Sequence, residues 1–134
     1  MPGPYTHLNL DEVDDSAPKF GYGELQEARF ANEALETEQA GFALERVKPG
    51  KRQGFGHRHD NAEEVYVVIS GSGRAKLDDE IIDVGELDVV RVPPGTWRGY
   101  EAGPQGLEIL VFGAPSLGDD PRGDVEGQRD WWAG

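Results

Sequence analysis

Short stretches of alternating apolar and polar residues, each ended by a glycine or proline turn, determine what this chain can fold into. One stretch covers 42–47 and stops at a turn over 48–50, and another, over 65–69, is rich in β-branched and aromatic residues. Further stretches follow about every eight to twelve residues, at 74–77, 81–84, 87–92, 97–100 and 107–112. Strands this short and evenly spaced predict an all-β sandwich or closed barrel.

Two segments between these strands need a separate interpretation. The segment 24–35 fits either a short helix or an alternating strand, and we interpret it as a strand. The Ser-Gly-Ser-Gly piece at 70–73 predicts a tight hairpin turn. A phosphate-binding loop is the weaker interpretation of that piece, because no helical pattern follows it.

The length of 134 residues suits one hydrophobic core, and therefore one domain and one site. Residues 1–19 are polar and acidic and predict an N-terminal arm, and residues 20–115 predict the barrel. Residues 116–134 predict a tail whose Trp131-Trp132 pair packs on the barrel or on a partner subunit.

The composition narrows the function classes. The chain has no cysteine, so any metal must be held by histidine and carboxylate groups, and a cytoplasmic location is expected. A formal charge of -13 disfavours nucleic acid and anionic membrane surfaces as partners. No apolar stretch is long enough to span a bilayer, and no signal peptide is recognisable at the N-terminus.

One pair of histidines carries the clearest chemical signal. His57 and His59 are two residues apart, so on an extended strand both imidazoles lie on the same face. Glu64 begins the next strand and can add a carboxylate if the two strands pair. Two histidines and one carboxylate suit iron, manganese, nickel, copper or zinc. The third histidine, His7, lies in the predicted arm and is a poor candidate ligand.

The run over 49–71 resembles the first motif of the cupin superfamily, in which His-x-His is followed by a glutamate and then a glycine. Glu64 fits this spacing, with six residues before Gly71. Glu63 fits a shorter spacing but misses the glycine by one residue and would point to the other face. The run over 88–98 resembles the second cupin motif. The resemblance implies a double-stranded β-helix, or jelly-roll barrel, with His57, His59 and Glu64 as metal ligands.

The second motif departs from the family pattern at its end. Arg98 stands where the family usually has a histidine as fourth ligand, and a guanidinium has no lone pair to give a metal. Arg98 is therefore expected to bind the negative end of a substrate, or else to pair with Glu64 or Glu108.

The cupin resemblance implies a scaffold and a pocket rather than one reaction. The leading hypothesis is a small-molecule-binding cupin that holds a divalent metal. Oxygenase and isomerase are the activities considered for it, and whether it is an enzyme stays open. The alternative is a metal-free sensory or carrier module that binds a ligand without catalysis. Arg98, Tyr66 and Tyr100 are the expected substrate-binding residues, since the two tyrosines share strand faces with Glu64 and Arg98. A homodimer is expected, both from the resemblance and because cyclic dimers are the commonest assembly.

Overall fold

The computed structural model describes residues 3–113, 125–129 and 131–133. The strands are β1 (Gln26–Phe30), β2 (Gly41–Val47), β3 (Phe55–His59), β4 (Glu64–Leu77), β5 (Glu80–Gly85), β6 (Val89–Val92), β7 (Arg98–Gly113) and β8 (Val125–Arg129). The helical pieces are α1 (Asn32–Leu35) and the 3₁₀ turns Leu10–Glu12, Ala17–Phe20 and Trp131–Ala133. Within these residues no helix is long and apolar enough to cross a membrane. The predicted all-β class is confirmed.

Strand β7 connects the parts of the sheet. It pairs antiparallel with β2, β4 and, at the register pair His57↔Arg98, with β3. Strand β4 pairs also with β5 and β6, while β1 continues the sheet beyond β2 and β8 continues it beyond β3. The two longest strands thereby bring the short strands of both chain halves into one curled antiparallel sheet.

The core follows from the period-two alternation of these strands. Leu107, Ile109 and Val111 of β7 point inward together with Tyr66 and Val68 of β4, and all five are buried. Burying one such side chain stabilises the fold by roughly 1.5–3 kcal/mol. The sheet is therefore held closed by the same alternation that the sequence displays.

The predicted hairpin at 70–73 is wrong, because β4 runs without reversal from Glu64 to Leu77. Its register against β7 shifts between Val68 and Ser70 and again between Gly71 and Gly73. Gly71 has a φ of +82°, which a side chain would strain, and both glycines lie directly against the β7 backbone. The glycines therefore serve a close strand approach and a bend rather than a turn.

The segment 24–35 contains both a strand and a short helix, the two structures that its pattern allows. Its first part forms strand β1, as predicted, and its last four residues form the short helix α1. Glu36 ends this helix with a φ of +61°, and the Asn32 side chain accepts a hydrogen bond from the N–H of Phe42 (2.6 Å). The helix therefore turns the chain from β1 into β2.

Both terminal segments contact the sheet where the structure describes them. Ser16 donates its N–H to the carbonyl of Ala28 (2.7 Å), and the carboxylate of Asp15 accepts the N–H of the same residue (2.9 Å). At the other end, the Trp131 carbonyl accepts a hydrogen bond from Lys76 (2.7 Å), and the Trp131 ring stacks on Trp97 with centroids 5.5 Å apart. Of the expected tail over 116–134, residues 125–129 form β8, and residues 116–124, 130 and 134 lie outside the described residues.

The glycine at the second register shift gives a direct test of the bent β4 strand. A β-carbon on Gly73 would fall on the carbonyl oxygen of Glu101, whereas one on Gly85 would meet no heavy atom within 4 Å. We expect Gly73→Ala to lower the free energy of unfolding by about 1–3 kcal/mol, because backbone atoms must move apart. Gly85→Ala should change it by less than about 0.5 kcal/mol. Urea unfolding followed by tryptophan fluorescence measures both, and equal effects would contradict the close approach.

Candidate functional site

The side chains of β3 and the start of β4 meet at one end of the barrel. His57 and His59 point to the same side of β3, with ring centroids 5.3 Å apart. The Nε2 atoms of His57 and His59 lie 3.7 Å and 3.3 Å from Oε1 of Glu64. One donor atom from each of the three residues falls within 4.8 Å of the other two. The structure thus brings together the three residues that the sequence predicted as metal ligands.

Two further groups surround the Glu64 carboxylate. The Tyr66 hydroxyl donates a hydrogen bond to its Oε1 at 2.7 Å. Nη2 of Arg98 lies 3.8 Å from the same oxygen, and Nη1 of Arg98 donates to the carbonyl of His57 at 3.5 Å. Of the two pairings expected for Arg98, the structure has the one with Glu64, since Glu108 pairs with Arg46 at 2.5 Å.

The environment of Arg98 differs from that of a surface cation. Its side chain is 0% exposed, and its Nε and Nη2 atoms have no hydrogen-bond partner among the described residues. A buried guanidinium without full hydrogen bonding is costly, and a nearby carboxylate offsets part of that cost. The negative charge of Glu64 therefore stabilises the buried positive charge of Arg98.

These contacts shift the ionisation of the cluster. Burial acts to raise the pKa of Glu64, but the approach of His57 and His59 and the hydrogen bond from Tyr66 together outweigh it and hold this pKa well below its usual range. Burial lowers the pKa of His57, and the attraction of Glu64 only partly opposes that effect. Near neutral pH the cluster therefore combines an ionised carboxylate with a neutral imidazole that has a free lone pair.

The cluster lies in the wall of a cavity of about 610 Å³, within the range of small-molecule sites. The wall is largely apolar, and six phenylalanine and tyrosine side chains contribute to it: Phe20, Tyr22, Phe30, Phe42, Phe55 and Tyr66. Arg98 and Tyr100 do not line it and are fully buried, with the Tyr100 ring packed against that of Tyr66 at 5.1 Å between centroids.

Sequence reasoning missed a second polar group in the wall. Glu45 on β2 is 8% exposed, and its Oε2 accepts a hydrogen bond from the Gln53 side chain at 3.3 Å. Gln53 is held in turn by Tyr100, whose N–H donates to the Gln53 side-chain oxygen at 3.0 Å. The missed signal is a period-two count, which places Glu45 on the inward face between the buried Ala43 and Val47.

Burial has a marked effect on this carboxyl group. It raises the pKa of Glu45 to about 7, with repulsion from Glu64 adding to the shift and the Gln53 hydrogen bond opposing it. Within the described part of the chain, no basic nitrogen forms an ion pair with Glu45. A buried acid of this kind facing a cavity is typical of functional sites.

The chain's relationship to known proteins agrees with this geometry. Residues 43–112 match the family described as the cupin domain. Because the match covers more than half of the chain, the chain belongs to the cupin family, as its two motifs predicted. An uncharacterized protein of Methanocaldococcus jannaschii is 35% identical over 60 residues, which are 44% of this chain and 48% of that protein. The matched region thus spans about half the length of this relative.

Several solved structures have a similar fold. A cupin protein from Bacteroides fragilis gives a TM-score of 0.66 at 19% identity, over 89% of this chain and 92% of that one. The Streptomyces nucleoside dehydratase Pac13 gives 0.69 at 18% identity, over 96% and 92%. A sugar phosphate isomerase from Silicibacter pomeroyi gives 0.69 at 17% identity, over 92% of each chain. At these identities the similarity shows a common fold but not a common reaction.

The buried acid makes the stability of the protein depend on pH. Because the Glu45 pKa is about 7 in the folded state and about 4.5 in the unfolded chain, the folded state loses stability as pH rises through this window. Glu45→Gln removes that loss. We expect the difference in free energy of unfolding, variant minus wild type, to increase by roughly 2–3 kcal/mol between pH 5 and pH 8.

Urea titrations at the two pH values measure this difference. The same subtraction with Glu80→Gln, an exposed glutamate on β5, is the control. A difference for Glu45→Gln that stays constant from pH 5 to pH 8 would contradict the buried, cavity-facing carboxyl.

Proposed function

We propose that this protein binds a small molecule in the barrel cavity and holds a divalent metal there through His57, His59 and Glu64. The observation that carries the proposal is the set of three donor atoms within 4.8 Å of one another, in the wall of a cavity large enough for a ligand. Iron, manganese, nickel, copper and zinc all accept two imidazoles and one carboxylate.

The chemistry of the donors fits such an ion. Burial keeps His57 neutral, so its nitrogen can donate a lone pair, and Glu64 is ionised. The Tyr66 hydroxyl orients the carboxylate, which is the role that outer partners of metal ligands play. Three protein ligands leave positions for water or a ligand atom, and a bound metal would supply Lewis acidity to a ligand oxygen.

The expected substrate-binding residues divide into two groups under this proposal. Tyr66 lines the cavity and is proposed to contact the ligand with its ring face. Arg98 and Tyr100 lie behind the wall, where Arg98 faces Glu64 and Tyr100 supports the ring of Tyr66. We propose that these two act mainly by holding the lining residues in place.

Proton transfer is the reaction class that the site supports best. Glu45, a buried carboxyl in the cavity wall with a pKa of about 7, can donate or accept a proton near neutral pH. Two of the similar structures are described as a dehydratase and an isomerase, whose reactions move protons on a substrate. An isomerase-type reaction is therefore favoured over an oxygenase.

A metal-free binding module is the second candidate, and one contact favours it. The guanidinium of Arg98 lies 3.8 Å from the proposed ligand oxygen of Glu64 and repels a divalent cation. In that case the histidines and Glu64 would form a hydrogen-bonding group for a ligand.

We also propose a homodimer. The proposal is supported by two exposed apolar side chains, Val89 on β6 and Leu87 just before it, because β6 pairs within the described sheet with β4 alone.

Metal content separates the two candidates. We expect protein purified without chelator to contain about one divalent ion per chain, and His57→Ala to contain less than a tenth of that, because one of three ligands is lost. Elemental analysis by mass spectrometry measures both. His7→Ala, which removes an exposed histidine away from the cluster, should keep the wild-type content. Wild-type protein without metal, even after incubation with zinc or manganese, would exclude the metal site and leave the binding module.

The hydroxyl of Tyr66 should tune the same site. Tyr66→Phe removes the hydrogen bond to Glu64 while keeping the buried ring, so we expect affinity for zinc to fall by about 10–100-fold. Calorimetric titration of chelator-treated protein gives the affinity, and circular dichroism checks the fold. Tyr5→Phe, at an exposed tyrosine, is the matched control. Equal zinc affinity in Tyr66→Phe and wild type would show that Tyr66 does not position the ligand.

A further inference from the structure

The charges around the cavity are distributed unevenly. Among the residues that line it in the described structure there is no lysine and no arginine, whereas two carboxylates, Glu45 and Glu64, belong to the wall. Glu64 has Arg98 at 3.8 Å behind it, so its charge is largely balanced from within the protein. Glu45 forms no ion pair with a described residue, and its one described hydrogen bond is with the neutral side chain of Gln53.

Glu45 lies apart from the histidine cluster along the sheet. In the aligned strands β2, β7 and β4, Glu45 matches Ile109 and Val68, while Glu64 matches Gly113. Their backbone positions are four residues apart along these strands, or about 13 Å at ~3.3 Å per residue. The cavity wall therefore has two acidic positions, and Arg98 lies close to one of them, Glu64.

The Glu45 side chain is held as an acceptor. Gln53 is fixed to β7 by two hydrogen bonds, one from its own N–H to the carbonyl of Tyr100 (2.9 Å) and one from the N–H of Tyr100 to its side-chain oxygen (3.0 Å). Its amide nitrogen then donates to Oε2 of Glu45. A carboxylate has acceptor positions for several donors, so Glu45 keeps capacity for a hydroxyl or N–H group of a ligand.

We propose that Glu45 is a specificity-determining residue of this cavity: it accepts a hydrogen bond from an uncharged part of the ligand and disfavours a phosphate or carboxylate group beside it. This inference deepens the proposed function, since it concerns the ligand of the same cavity. An anionic group beside Glu45 would meet a carboxylate in a largely apolar part of the wall, with no lysine or arginine among the described lining residues to receive it. The proposed metal lies with the histidine cluster, four residues away along the aligned strands.

Two fluorophores that differ by one sulfonate test this preference. N-Phenyl-1-naphthylamine is apolar and uncharged and offers one N–H group, and 1-anilinonaphthalene-8-sulfonate is the same scaffold with a permanent negative charge. We expect wild-type protein at pH 8 to bind the uncharged compound at least tenfold more tightly. In Glu45→Gln this ratio should fall at least fivefold, because the repelling charge is removed while the side chain keeps its size.

The controls keep the outcome specific to Glu45. Glu80→Gln makes the same change of net charge at an exposed position outside the cavity and should keep the wild-type ratio. All proteins are treated with chelator before these titrations, so that no bound metal can receive the sulfonate, and the metal content of each preparation is measured. Equal or tighter binding of the sulfonate by wild-type protein would overturn the proposal. So would an unchanged ratio in Glu45→Gln, or a failure of both fluorophores to bind.

Failure of this inference can be told apart from failure of the proposed metal site. One result is protein that binds one metal per chain but does not distinguish the two fluorophores. The other is protein that distinguishes the fluorophores but binds no metal. In the first case Glu45 has no role in selecting the ligand, and in the second the cavity binds a neutral ligand without metal.

Discussion

One carboxylate oxygen, Oε1 of Glu64, is the point at which side chains from three strands converge. It has the nitrogens of His57 and His59 within 3.7 Å, the hydroxyl of Tyr66 at 2.7 Å and a guanidinium nitrogen of Arg98 at 3.8 Å. These partners offset the cost of burying most of the Glu64 carboxylate, and Arg98 in turn needs a nearby negative charge. Strands β3, β4 and β7 are thus fixed relative to one another at the same place where the proposed ligands of the metal meet.

The part of the site that the sequence could predict rests on local geometry and on the cupin resemblance. An extended strand places His57 and His59 on one face, whereas the choice of Glu64 over Glu63 came mainly from the spacing to Gly71 in the first cupin motif. The expected pairing between the two strands is absent from the described sheet, where β3 pairs with β7 and β8. The glycines at 70–73 show where such reasoning fails. A glycine pair fits a tight turn and a bulge equally well, and only the approach of β7, some thirty residues later in the chain, decides between them.

The residues that the sequence did not reveal depend on contacts between distant segments. Glu45 looks like an ordinary polar residue of an alternating strand until β1, β7 and the segment of Gln53 enclose it. Strand β8 has little apolar periodicity and all five of its residues are exposed, and it is recognisable mainly through its pairing with β3. The period-two count places Glu45 on the inward face, but the burial of Glu45 and the pairing of β8 depend on the assembled barrel.

The pairing of β3 has a consequence for how the protein is made. β3 meets β7 at the single register pair His57↔Arg98, but it meets β8 along all five of its residues, and Gly56 gives room to the ring of Trp131. The strand that carries both histidines thus gains most of its neighbours from a segment about seventy positions further along the chain. On a translating ribosome, the barrel core can begin to pack as soon as β7 emerges, while β3 stays without its main partner until β8 has been synthesised.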